Sequence, residues 1–165
     1  MQRTSDLRIR SISPLIRPQA LVNRHPLSEK AAAAVVECRE AIRRILRRQD
    51  SRLLAVVGPC SIHDYQAALD YANRLRVLKG RYAEKLHILM RVYFEKPRTT
   101  LGWRGLITDP NLNGTYDIGA GLSLARRLLL EIAELGLGAG TEMLDPIVPQ
   151  YIADLIGWAA IGART

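Results

Sequence analysis

Beyond residue 50 the chain alternates between unbroken apolar runs and stretches with apolar residues every three or four positions. "RLLAVVG" (52–58) and "LHILMRVYF" (86–94) are apolar runs without period-two alternation. Such runs predict strands buried on both faces, as in a parallel sheet. "LGAGTEML" (137–144) reads as a weaker third strand and "AAIGART" (159–165) as a short fourth. Helical spacing fills the intervals. "DYQAALDYANRLRVLKG" closes at Gly80, "LSLARRLLLEIAEL" is stopped by Gly136, and "QYIADLIGW" follows Pro149. A long loop, residues 95–121, separates the second strand from its helix. The order β-α-β-α-β-α-β predicts an α/β fold with a parallel sheet and helical crossovers.

The first fifty residues differ in texture. Pro14, Pro18 and Pro26 break residues 1–27, which read as an extended arm with "LRIRSI" as a short strand. Ser28 suits the N-cap of a helix through "EKAAAAVVECREAIRRILRRQ", whose apolar stripe is Val35, Cys38, Ile42, Ile45 and Leu46. Cys38 falls on that stripe and reads as packing.

Composition changes the picture in two places. The net charge is +8, and residues 1–50 carry +6 of it (11 Lys/Arg against 5 Asp/Glu). That segment reads as nucleic-acid binding or, more plainly, as a solvated helix face. Two cysteines make no disulfide framework, and "MQRTSDLRIR" has no apolar core of a signal peptide, so a cytoplasmic setting is expected. No apolar run has membrane-spanning length.

In parallel α/β folds the chemistry gathers at the carboxyl ends of the strands, in open sheets and barrels alike. That rule puts Cys60, Arg91, Lys96, Arg98, Glu142 and Arg164 on one rim. Arg91 interrupts an apolar run, where an unpaired guanidinium is costly. It therefore either pairs with Glu95 or Glu142 or binds an anion. "EKPRTT" sets two cations and two hydroxyls on a Pro-stiffened turn, a pattern suited to a phosphoryl group. Glu142 also fits a plain loop carboxylate, and Arg164 a surface charge. Cys60 and His63 have the C-x-x-H spacing of a nucleophile with its base or of two metal ligands, while a small core thiol is the third reading. Neither His25 nor His87 falls near the rim, and Asp64 and His63 also suit a helix cap.

"GPCSIHD" (58–64), "MRVYFEKPRTTLGWRGLI" (90–107) with its following "DP", and "WAAIGART" (158–165) closely resemble type I 3-deoxy-D-arabino-heptulosonate 7-phosphate (DAHP) synthases. The likeness runs over essentially the whole chain. It implies a (β/α)8 TIM barrel of which about the first four strands are present, with residues 1–50 as an arm and helix serving assembly and regulation and 51–165 as the first half of the barrel. The implied reaction condenses phosphoenolpyruvate with erythrose 4-phosphate at the head of aromatic amino-acid biosynthesis. A divalent metal (Mn, Fe, Co or Zn) would act as Lewis acid on the aldehyde, and Cys60 matches its cysteine ligand.

By the same resemblance, Arg91, Lys96, Glu142 and Arg164 match phosphoenolpyruvate-binding positions, and Lys96, Pro97, Arg98 and Thr99 match the erythrose 4-phosphate loop. Lys96 and Glu142 match catalytic positions, Glu142 as positioner of the attacking water. Asp6, Met143, Pro149 and Gln150 match the site of an aromatic amino-acid inhibitor. A homo-oligomer, dimer or tetramer, is implied, without nucleic-acid or membrane partners. Members of the family run on for about as long again, in line with typical barrel size. The remaining metal ligands, a His, a Glu and an Asp, lie in that second half, as do a further Lys and Arg. A truncated product is therefore expected, with open edges on its first and fourth strands that favour association. The alternative function is an inactive piece that keeps only assembly and effector surfaces.

Overall fold

A computed structural model describes residues 4–5, 7–9, 12–97 and 101–162. Its centre is a four-stranded sheet of β1 (Leu53–Val57), β2 (Leu86–Arg91), β3 (Gly138–Met143) and β4 (Trp158–Ile161), all parallel and in the order β1-β2-β3-β4. A doubly wound sheet reverses its strand order at a switch point. Here each strand simply pairs with the next, the order of a barrel wall, and the four strands with their helices form a half-barrel.

Alternation along β2 sorts the two faces. Ile88 and Met90 join the main core with the helical layer, namely Leu122, Ala125, Leu128 and Leu129 of α4 (Ile118–Glu134) and Ala72 and Leu75 of α3 (Tyr65–Arg81). Leu89 points to the opposite, inner face and meets Cys38 and Ile42 of α2 (Glu29–Leu46).

That helix closes the inner face at the amino ends of the strands. A Cβ at Gly138 or Gly157 would stand 2.2 or 2.6 Å from Cys38 Sγ, so glycine is what admits the helix. Burial pushes the Cys38 thiol up to about 11, and the reading of Cys38 as packing stands. Ser28 caps α2 as expected, its Oγ accepting from Ala31 N at 3.1 Å and donating to Glu134 at 2.5 Å. Leu46, assigned to the buried stripe, is 60% exposed. It is the last residue of the helix, one turn beyond the last buried contact, Ile42.

Four expectations change. The arm is not wholly extended: Pro18 opens a short helix, α1 (Pro18–Arg24), at a position where its missing N–H costs nothing. In "LRIRSI", Leu7 and Arg8 lie in a turn, and Arg10 and Ser11 are outside the described residues. α4 begins at Ile118 rather than Leu122, capped by Asp117, whose carboxylate accepts from Ala120 N at 3.0 Å. Its glycines made the first turn read as loop, but Gly121 serves packing, since a Cβ there would stand 2.1 Å from the Ile107 carbonyl oxygen. The helix after Pro149 is short, α5 (Pro149–Ile152) followed by a 3-10 turn at Ala153–Leu155. Arg126 takes the Tyr151 carbonyl, and Arg39 takes those of Ala153 and Ile156, acceptors that a continuing helix would use itself.

The fourth change concerns β1. Its apolar run predicts burial on both faces, yet Leu53 is 69% exposed and Val56 and Val57 are more than a third exposed. All four residues of β4 are exposed as well. Among the described residues both are the edge strands of the sheet.

Candidate active site

Arg91 ends β2 on the inner face. Its Nε donates to the Pro59 carbonyl at 3.0 Å and its Nη2 to the Gly58 carbonyl at 2.9 Å, while the Tyr93 ring lies 5.3 Å from the guanidinium carbon. The ion pair with Glu95 or Glu142, one of the two readings of Arg91, is not among the ion pairs of the described residues. Carbonyls orient the group without cancelling its charge, so its remaining N–H donors carry a full positive charge into the rim.

Lys96 follows on the loop after β2. Its Nζ donates to the Cys60 carbonyl at 3.2 Å and lies 3.0 Å from Cys60 Sγ. The loop is braced from behind, with Lys96 N donating to the Arg104 carbonyl at 3.0 Å. Gly105 makes that return, since its φ is +107° and a Cβ would stand 2.2 Å from the Phe94 oxygen. Pro97 is exposed beside Lys96. Glu142 lies on the inner face of β3, two residues beyond Gly140, which is level with Arg91. Its carboxylate crowds Gly162, where a Cβ would stand 2.6 Å from Oε1. Arg98, Thr99 and Arg164 are outside the described residues. Cys60, Arg91, Lys96 and Glu142 therefore share the carboxyl-end rim.

A cavity of about 340 Å³ opens there, lined by Glu95, Lys96, Pro97, Arg104, Asp145 and Gly162 among others. Burial, and then the charge and hydrogen bond of Asp145, push the Glu95 carboxyl up to about 7. A neighbouring apolar cavity of about 460 Å³ is walled by Met143, Leu144, Pro146, Pro149 and Ile161. Asp145 borders both cavities, and its Oδ1 accepts from Ile147 N and Val148 N at 2.6 and 2.9 Å. Gln150 is exposed and donates to the Pro146 carbonyl at 3.2 Å, and Asp6 is outside the described residues.

His63 lines a separate small cavity with Pro59, Asp64 and Tyr71, and Asp64 caps α3 through Ala67 N at 2.6 Å. His25 meets Ser123 at 2.8 Å, and His87 is buried at the amino-end half of β2. No three His, Cys, Asp or Glu side chains among the described residues cluster as a metal site. Cys60 offers one sulfur donor beside an ammonium, so these residues do not by themselves fit a metal ion.

Tyr93, Glu95 and Arg104 were not singled out from the sequence as site residues. Tyr93 had a usable signal: two positions after Arg91, it extends the same strand direction.

The model of the DAHP synthetase I family matches residues 25–165. The chain belongs to the DAHP synthetase I family. The Trp-sensitive phospho-2-dehydro-3-deoxyheptonate aldolase of Escherichia coli (strain K12) is 52% identical over 165 residues, all of this chain and 47% of that protein. The Trp-sensitive relative from Buchnera aphidicola is 51% identical with the same coverage. The solved phospho-2-dehydro-3-deoxyheptonate aldolase of Francisella tularensis SCHU S4 superposes with a TM-score of 0.92 at 47% identity, over 94% of this chain and 46% of that one. This DAHP synthetase I chain thus spans about half the length of the relatives it matches.

Proposed function

We propose that this chain carries the substrate-anchoring half of a DAHP synthase site, acting on phosphoenolpyruvate and erythrose 4-phosphate. The convergence of Arg91, Lys96, Cys60 and Glu142 on one rim carries the reading. Arg91, with Lys96 and Arg164, holds the phosphate and carboxylate of phosphoenolpyruvate. Lys96, Pro97, Arg98 and Thr99 receive erythrose 4-phosphate. Their cations bring together two anions that would otherwise repel.

The enol carbon of phosphoenolpyruvate bonds to the aldehyde carbon, whose oxygen takes a proton. Water, positioned by Glu142, adds at the carbon bearing the phosphoryl oxygen, and phosphate leaves with cleavage of that C–O bond. Lys96 donates to the aldehyde oxygen as its charge develops. Cys60 is the position that matches a metal ligand, no cluster of metal-binding side chains surrounds it among the described residues, and no step is assigned to a metal. The apolar cavity at Met143 and Pro149 takes an aromatic side chain of an inhibitor, and Gln150 and Asp6 match the same effector site by resemblance. Residues 1–50 serve assembly and regulation, and residues 51–165 are the half-barrel.

The second reading is a non-catalytic piece that keeps the effector and assembly surfaces, favoured by the lack of a metal cluster among the described residues. Calorimetric titration with phosphoenolpyruvate, beside a DAHP-formation assay with excess manganese, separates them. Binding that weakens at least tenfold in Arg91→Ala supports the anchoring role. Equal binding by wild type and Arg91→Ala overturns it, and turnover lost in Cys60→Ser excludes the non-catalytic reading.

A further inference from the structure

A guanidinium at a binding rim has to be held without losing the charge it presents. A carboxylate neighbour cancels that charge, and a carbonyl takes one of the N–H donors. An aromatic ring does neither, because it meets the face of the group and not its edge. Around Arg91 the carbonyls and the ring are present, and no carboxylate pairs with it among the ion pairs of the described residues.

The Pro59 and Gly58 carbonyls take Nε and Nη2, one edge of the group. Gly58 admits them, since a Cβ there would stand 2.6 Å from the Arg91 carbonyl oxygen and 3.0 Å from the Arg91 Cβ. Neither carbonyl takes the outer edge, Nη1 with the second hydrogen of Nη2, whose parallel N–H groups match a carboxylate or two phosphate oxygens. The Tyr93 ring, 5.3 Å from the guanidinium carbon, is the remaining support. Its backbone is fixed from both sides. The Tyr93 carbonyl accepts from Ile62 N at 2.9 Å, Val92 N donates to the Gly140 carbonyl at 2.8 Å, and the Val92 carbonyl accepts from Thr141 Oγ1 at 2.6 Å. The ring therefore stands on an extension of β2, two positions beyond Arg91 and on the same side of the strand.

We propose that Tyr93 is a positioning residue for the phosphoenolpyruvate anion, its ring covering one face of the Arg91 guanidinium so that the ligand approaches edge-on to Nη1 and Nη2. The ring acts through Arg91 and needs no contact of its own with the substrate. It uses up no donor, leaves the charge intact and keeps water from one face, which strengthens the pairing in the plane of the group. The aromatic face is what counts, and the hydroxyl has no part in it. The proposal rests on Arg91 as the anchor of that anion.

Calorimetric titration of the 165-residue chain with phosphoenolpyruvate compares wild type, Arg91→Ala, Tyr93→Phe, Tyr93→Leu and Tyr93→Met, each beside a thermal melt. Tyr93→Phe should bind within about twofold of wild type, while Tyr93→Leu and Tyr93→Met, apolar but without a ring, should bind about five- to tenfold more weakly and still melt cooperatively. If Arg91→Ala weakens binding while both ringless variants bind like wild type, this proposal falls and the anchoring role of Arg91 stands. It falls in the same way if Tyr93→Phe loses as much as Tyr93→Leu, because the hydroxyl is then the group that matters. Loss of a cooperative melt in both ringless variants makes Tyr93 a core residue and overturns it too. Wild type without binding, or Arg91→Ala equal to wild type, overturns the anchoring role and this proposal together.

Discussion

Arg91 and Arg126 are both interior arginines, and what they touch separates their roles. Arg126 is fully buried, donates to both Asp154 oxygens at 2.8 Å and holds the His25 and Tyr151 carbonyls. Arg126→Met should destabilise the fold by about 2–4 kcal/mol in urea titration, because it strips a buried charge from several acceptors at once. Cys60 should react with iodoacetamide in the native chain, while Cys38, buried and pushed up to about 11, should react only after unfolding. Mass spectrometry of the labelled thiols checks this.

Glu95 sets a pH dependence. Its folded pKa of about 7 lies above its ordinary 4.5, so between those values the folded state binds more protons than the unfolded one. Stability therefore falls as pH rises through that window. Glu95→Gln should flatten that slope in thermal melts run from the ordinary carboxylate range to just above the folded value. Arg91 was legible because a charge inside an apolar run is conspicuous. Glu95 was not, since its environment depends on Asp145, which arrives from beyond β3.

At the scale of the element, most of the order was legible because each strand is a distinct apolar run and each helix has its own period. The misjudged boundaries all involve long-range partners. Gly121 looked like a loop residue until the Ile107 carbonyl was placed against it, and α5 looked longer until Arg39 and Arg126 claimed its carbonyls. Gly→Ala inside a helix ordinarily gains up to about 1 kcal/mol. Gly121→Ala should reverse that sign, because a Cβ 2.1 Å from a carbonyl oxygen forces α4 away from the loop. Chemical denaturation of the variant measures the sign directly.

For the whole molecule, the exposure of β1 and β4 decides behaviour. Their apolar runs predicted burial because sequence reports the company a strand is built for, and the four described strands do not supply it at the sheet's two edges.

The seating of α2 also bears on how the chain assembles during synthesis. Neighbouring strands are consecutive, so each strand can dock soon after it leaves the ribosome. Arg39, however, reaches Ala153 and Ile156, and Cys38 rests against Gly157. The helix made among the first thus completes its contacts only after residues 153–157 have been translated.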